Sequence, residues 1–562
     1  MCFLTPSFRV TPGPIADIFE RMCRRLDEIE FVDALWTRRL DVWTADVPTQ
    51  EKIRNRLGWL HAMDAVTPQL TRARGLADAV RAEGLTDVVL LGMGGSSLAP
   101  EVLRQVLGVA PGFPRFRMLD SVDPEAVRSA FDQAETSLFV LASKSGSTIE
   151  PNVMAAEARR RLEASGISDC GSRFVAITDE GTALHKRALA DRFREIFINP
   201  SDIGGRYSAL SLFGMVPAAL MGADVAAILD GARAMEAACR VTDVAANPGC
   251  VLGAFMAAAT EAGRDKLTLV LPTPLASFGL WVEQLVAEST GKEGTGVVPI
   301  TGAPAAPLAD DRAIVFVSLD DIPSTRMSLP VIRQSGPCLM ELDMPDASSI
   351  GAEFLRWEMA TATAGLMIGI NPFDEPNVQQ AKDATRKLLE EFKSTGQLSL
   401  RRPHAQLEGA RLTLSTAAEE MLKEDGAERF LEVIEGGDYF GLLAYLPPDR
   451  EPFESALQEI RNTVGKRRRC ATMFGYGPRY LHSTGQLHKG GANNGVFIIV
   501  TADVQEDLPI PGEPFSFGVL EMAQALGDFE SLQSADRRAL HIHLPRRDVD
   551  LLKRVFDRLL ND

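Results

Sequence analysis

At 562 residues the chain exceeds the roughly 250–300 residues at which single hydrophobic cores stop growing, so more than one domain is expected. Apolar residues make up 45% and charged residues 24%, proportions of an ordinary soluble globular protein rather than a disordered or membrane one. The 59 Lys plus Arg against 76 Asp plus Glu give a formal charge of -17, which argues against a nucleic-acid-coating role and requires a local positive site for any anionic substrate.

The N-terminus, Met1-Cys2-Phe3-Leu4-Thr5-Pro6, has no basic region followed by an apolar core, and no apolar run approaches a membrane span; a cytoplasmic protein is expected. The seven cysteines are scattered without metal-ligand spacing, which reads as reduced, mostly buried thiols and no metal. Residues 1–80 carry helical patterns such as Ile15–Met22 and read as a packed helical arm. From about 82 short apolar runs alternate with amphipathic helices, the rhythm of parallel βαβ units. Strands are expected at Val88–Leu91, Phe116–Leu119, Leu138–Ala142, Phe174–Ile177 and Ile196–Ile198, giving a doubly wound domain over 81–245. A second series, from Lys266–Leu271 through Gly296–Ile300, Ala313–Leu319, Cys338–Leu342, Gly441–Leu446, Gly495–Val500 and Ala539–Leu544, suggests one further sheet over 246–562. The polar stretch 393–435, turning helical at Ala417–Glu424, reads as an insertion, and Lys466-Arg467-Arg468-Arg469 as a solvated strand edge. The expected fold is α/β with two doubly wound, mainly parallel sheets.

Five stretches could carry chemistry. Asp87–Leu91 runs into Gly92-Met93-Gly94-Gly95-Ser96-Ser97, a strand, a glycine turn and a helix start, whose outward N–H groups can hold a phosphate. The turn lacks the third glycine of a dinucleotide fingerprint, Ser97 standing there, so no nicotinamide cofactor is expected. Ser143-Lys144-Ser145-Gly146-Ser147-Thr148 puts four hydroxyls and a cation before a helix, where capping needs only one hydroxyl. Gly204-Gly205-Arg206-Tyr207-Ser208 lets backbone come close beside an Arg. Glu288 ends a largely apolar helix, where the dipole opposes it unless it has a partner or a task. Finally, Arg479–Gly491 gathers His482, His488 and Lys489 among glycines.

In this order the five stretches resemble the phosphoglucose isomerase family, built of paired sugar-isomerase (SIS) domains. Gly92–Ser96 looks like the family's G-x-G-G-S, and Ser143–Thr148 like its phosphate-binding S-K-T-x-T-T. Gly204–Ser208 resembles G-G-R-[FY]-S, Ala287–Lys292 resembles M-E-S-N-G-K, and Asn371-Pro372-Phe373 with Pro376 and Val378 resembles N-P-F-D-Q-P-G-V. The C-terminal third looks much like the isomerase half of fused transaldolase/phosphoglucose isomerase proteins. The aldolase-like half is absent from this chain, so no transaldolase activity is expected.

The resemblance implies isomerisation of glucose 6-phosphate and fructose 6-phosphate through an enediolate, without metal or nucleotide, in the crevice between the two SIS domains. It casts Glu288 as base, Arg206 as stabiliser of the oxyanion and His482 as the ring-opening group. It gives the substrate Gly94, Gly95, Ser96, Ser143, Lys144, Ser145, Thr148, Gly205, Gln284 and Gln524. The family's G-V-E-L-G-K, whose Lys assists ring opening, faces Gly518–Gln524 without a Lys. Gln524 orienting the sugar, Lys489 substituting, or His482 acting alone are the open alternatives. A homodimer is implied, since the family's crevice is completed by a second subunit that commonly donates the His. The rivals are a phosphosugar isomerase for mannose 6-phosphate or an amino sugar, and a non-catalytic SIS sensor of sugar phosphates, which would need no Glu288.

Overall fold

The computed structural model describes residues 7–302, 309–423 and 425–561; Cys2 and Glu424 lie outside them. The described residues of Met1–Leu119, Gln133–Thr290 and Thr295–Asp374 form one compact unit, and those of Asp120–Asp132, Gly291–Gly294 and Glu375–Asp562 another. The fold is mixed α/β with mainly parallel sheets, as expected.

In the first unit, strand β1 (Ser7–Thr11) is followed by helices as far as Leu70–Ala82. Then come β2 (Asp87–Leu91), β3 (Arg115–Leu119), β4 (Ser137–Ala142), β5 (Phe174–Asp179) and β6 (Glu195–Asn199), in the order β3-β2-β4-β5-β6 with every pair parallel. Both β2 and β4 are buried at every residue, which is why they read as unbroken apolar runs. Strand order reverses between them, and in open parallel sheets ligands bind beyond the strand ends at such a switch point. Leu91 pairs with Leu141, so the two glycine- and serine-rich loops, beginning at Gly92 and Ser143, leave neighbouring strand ends at that switch.

The second sheet contains β7 (Lys266–Val270), β8 (Val298–Ile300), β9 (Arg312–Leu319) and β10 (Cys338–Met344), in the order β1-β10-β9-β7-β8. Its strands are parallel except for β1, which runs antiparallel along β10. The N-terminal arm is therefore helical apart from one five-residue edge strand, whose alternating exposure left it no apolar run to be recognised by. One apolar core runs from Leu26 and Leu35 through Val88 and Leu90 to Val315 and Trp357.

The second unit corrects the expectation of two sheets to three. It carries β11 (Ala405–Leu407), β12 (Ala410–Leu414), β13 (Tyr439–Tyr445), β14 (Ala471–Tyr476), β15 (Gly495–Ala502) and β16 (Arg538–Leu544), in the order β11-β12-β16-β15-β13-β14. The four strands from β16 to β14 are parallel, and β12 lies antiparallel on β16. Residues 393–435 are thus no insertion: they supply the β11–β12 hairpin and the helix Thr416–Leu422. A βαβ repeat has the same local pattern whichever sheet it joins, so sheet membership was not readable. The basic run closes the helix Phe453–Arg468 instead of edging a strand, where cations suit the negative helix end. The core of this unit gathers Leu412, Leu442, Ile498, Ile542 and Phe556. Buried Arg538 forks onto Asp438 at 2.7 and 2.8 Å, tying the start of β16 to that of β13. All six described cysteines are free thiols, five of them buried. No helix among the described residues is long and apolar enough to cross a membrane.

Candidate active site

The first loop turns through a short 3-10 segment, Gly94–Ser96, before the helix Leu98–Leu107. Gly94 has φ 54°, a conformation that favours glycine. Gly95 is required for a different reason: a Cβ there would lie 2.0 Å from the carbonyl oxygen of Gly205. The first and third motifs therefore touch backbone to backbone, and the Ser208 hydroxyl fastens them by reaching the carbonyls of Gly95 at 3.2 Å and Gly205 at 2.6 Å.

In the second loop Ser143 is buried while Ser145 and Ser147 are exposed. The Ser143 hydroxyl accepts from the Gly146 N–H at 3.1 Å, and Ser145 and Ser147 share a hydrogen bond of 2.8 Å. No side chain caps the helix Ile149–Ala164 that follows Thr148, so the hydroxyl cluster is not an N-cap. Lys144 is placed differently from the expectation of a cation among those hydroxyls. Its ammonium donates to Asp179 at 2.5 Å and to the Ser201 carbonyl at 2.7 Å. Burial holds the Asp179 carboxyl above its usual range in spite of Lys144. No sequence pattern marked Asp179.

Arg206 is 4% exposed and every edge of its guanidinium is engaged. Nε donates to the Ser289 hydroxyl at 2.7 Å, and Nη2 to the carbonyls of Pro372 at 3.0 Å and Asp374 at 2.9 Å. Nη1 stands 3.5 Å from Glu288 Oε1. Glu288 lies in the last turn of the helix Phe278–Thr290, where the dipole disfavours a carboxylate, and Arg206 offsets that cost. Its other oxygen accepts from Gln284 Nε2 at 3.3 Å. Arg206 follows the first sheet and Glu288 follows β7 of the second, so the pair joins the two sheets of the first unit. Tyr207 stacks on Trp59 at 5.4 Å, and burial pushes its phenol up so that it stays neutral. Ser289 and the carbonyls of the Asn371–Asp374 turn lie within the Ala287–Lys292 and Asn371–Val378 motif segments, but nothing in the sequence marks them as partners of Arg206.

The first unit holds Gly94, Gly95, Ser96, Ser143, Lys144, Ser145, Thr148, Gly205, Arg206, Gln284 and Glu288, with Gly95 against Gly205 and Arg206 against Glu288. His482 and Gln524 belong to the other unit. His482 ends a 3-10 turn, Arg479–His482, held by Arg479 on Asp120 at 2.7 and 2.9 Å. His482 is partly exposed. His488, by contrast, is a core residue 4.8 Å from the Phe497 ring, and burial pushes its pKa well down. Lys489 is 2% exposed and ion-paired at 2.6 Å with buried Asp528, which also accepts from Tyr480. Gln524 is buried in the helix Phe517–Ser534. Among the described residues no three His, Cys, Asp or Glu side chains converge as a metal site would.

A family model described as phosphoglucose isomerase matches residues 61–303. The glucose-6-phosphate isomerase of Prochlorococcus marinus is 28% identical over 433 residues, 67% of this chain and 80% of that protein. That of a Synechococcus strain is 30% identical over 359 residues, 56% of this chain and 67% of the relative. Among solved structures, a glucose-6-phosphate isomerase from Chlamydia trachomatis superposes with a TM-score of 0.55 at 17% identity, covering 69% of this chain and 89% of that one. A hypothetical protein from Thermus thermophilus gives the same TM-score, 0.55, at 24% identity, covering 68% of this chain and 99% of that one. The two structures show a shared fold.

The contact between Gly95 and Gly205 carries a direct expectation. Gly95→Ala should destabilise the first unit by about 1–3 kcal/mol, the usual cost of overpacking. All five tryptophans lie in this unit, so urea unfolding followed by their fluorescence reports it, and an unchanged midpoint would show that the two loops do not abut.

Proposed function

The chain belongs to the phosphoglucose isomerase family, and from that membership we propose that it interconverts glucose 6-phosphate and fructose 6-phosphate, moving a proton between C1 and C2 through an enediolate. The observation that carries the reading is the pairing of Glu288 with buried Arg206 at 3.5 Å. A carboxylate can take the proton from one carbon and return it to the next, and a fixed guanidinium stabilises the oxyanion formed in between. Gln284 holds Glu288 at 3.3 Å and Ser289 holds Arg206 at 2.7 Å, so both groups are oriented before substrate arrives. The phosphate contributes binding and position without reacting. Ser96, Ser143, Ser145, Thr148 and the backbone N–H groups of both loops are its proposed cradle, at the switch point of the first sheet.

Ring opening needs a proton moved at the ring oxygen, and the reading gives this to His482, with Gln524 orienting the sugar. The buried ion pair with Asp528 speaks against Lys489 in that role and favours His482 with Gln524. A homodimer in which His482 serves the partner's sugar follows from the family resemblance. The phosphorylated substrates, confined to the cell interior, support a cytoplasmic location.

In a coupled isomerase assay Glu288→Gln should lose ~10²–10⁴-fold in kcat, the range for a general base, while sugar-phosphate binding stays close to wild type. Arg206→Lys should lose ~10²–10³-fold, as for removal of one oxyanion donor. Undiminished turnover in Glu288→Gln would remove the base and with it the mechanism. Subunit exchange tests the dimer: mixing inactive Glu288→Gln with inactive His482→Asn should restore activity if the His is donated across subunits, and a mixture that stays inactive places both groups in one chain.

A further inference from the structure

The third sheet, β11 to β16, lies outside the residues matched by the family model, 61–303. It repeats the doubly wound order of the others, with its switch point between β13 and β15. A cavity of about 390 Å³ lies at that position, lined by Tyr445, Thr501 and His543 at the C-terminal ends of β13, β15 and β16. This is the place and size at which such sheets take small molecules. The start of the helix Phe517–Ser534 lines it with Gly518, Val519, Glu521 and Met522, and Gln524 is not among the lining residues.

Its polar groups are specific. Arg411 on β12 is the cross-strand neighbour of His543, and no described side chain accepts a hydrogen bond from its guanidinium or pairs with it. Five donors in a planar fork match a carboxylate. The Thr501 hydroxyl bridges the rings of His541 at 2.8 Å and His543 at 2.9 Å, which fixes both imidazoles. His543 Nε2 is buried without a hydrogen bond, although Asp503 Oδ1 comes within 3.2 Å of it, and Glu521 Oε1 is likewise buried and unbonded. Asp503 and Asp507 also line the crevice, and their charges oppose a dianion more than a monoanion. The first N–H groups of the helix are already taken by Asp507 and Ser516, and neither Leu446-Pro447-Pro448 nor Asp503-Val504-Gln505 after the strands is glycine-rich. A phosphate ester is therefore disfavoured. A monoanion with a hydroxylated body fits, since each hydroxyl both donates and accepts.

We propose that the crevice of the third sheet binds a sugar acid, with its carboxylate on the Arg411 fork and its hydroxyls on His543, Glu521 and Asp503. The inference does not depend on the isomerase reading. D-gluconate titrated into the full chain by calorimetry should bind saturably in the millimolar range or tighter. Arg411→Leu should weaken it at least tenfold with isomerase turnover unchanged, and Met522→Trp, which fills the crevice from the helix, should abolish it. Glu288→Gln should bind gluconate as wild type does. Absence of saturable binding, binding untouched by both crevice variants, or loss in Glu288→Gln alone would each overturn the proposal, the last by placing the anion in the isomerase site.

Discussion

The guanidinium of Arg206 is the interaction on which the rest of the first unit turns. A buried cation is tolerable only when its donors are satisfied and its charge is opposed, and two segments meet that demand for the Arg presented by the Gly204–Ser208 loop: Ser289 and Glu288 from the helix after β7, and the carbonyls of Pro372 and Asp374 from a distant turn. The loop and these segments come from both sheets of the unit. The bare backbone of Gly95 against Gly205 sets the distance between this assembly and the loop after β2. One side chain thereby ties together the proposed base, the proposed oxyanion stabiliser and a proposed phosphate loop.

Much of this was legible from residues alone because the site is built at strand ends. Fully buried strands such as β2 and β4 appear as apolar runs, and the glycine- and serine-rich turns after them stand out by contrast. Glu288 drew notice because a carboxylate is out of place at the end of an apolar helix. What could not be read was partnership. Ser289 looks like any small residue beside a motif, and Asp179 looks like the ordinary end of a strand until Lys144 is found on it. Sheet membership failed for the same reason: β13 to β16 repeat the local pattern of β2 to β6, and only the pairing of β12 with β16 shows that a third sheet begins near 405. The short edge strands β1 and β11 bury too little to leave a pattern.

The histidine-rich stretch shows how burial sorts residues that composition cannot. His482, His488 and Lys489 are close in sequence and chemically similar in promise. His488 packs among Tyr439, Tyr480 and Phe497, where desolvation keeps it neutral, and Lys489 is committed to Asp528. These two build the core on which the His482 turn rests, and Tyr480, within that same turn, bonds the same Asp528. The turn is thus held from below by a buried ion pair and from the side by Arg479 on Asp120, leaving His482 the one group of the three with access to solvent.

The pairing of Lys144 with Asp179 changes how the phosphate cradle should be understood. An ammonium already neutralised by a carboxylate contributes little net attraction for a dianion. In the proposed cradle the binding energy then falls to the hydroxyls of Ser143, Ser145 and Thr148 and to backbone N–H groups at the starts of two helices, which carry partial charge without a counter-ion. Such donors are fixed by the fold, cost no reorganisation when the anion arrives, and are not screened as an exposed lysine would be. Lys144 in this arrangement braces the loop through Asp179 and the Ser201 carbonyl, and the chain's overall negative charge is opposed locally by geometry rather than by a surplus of basic side chains.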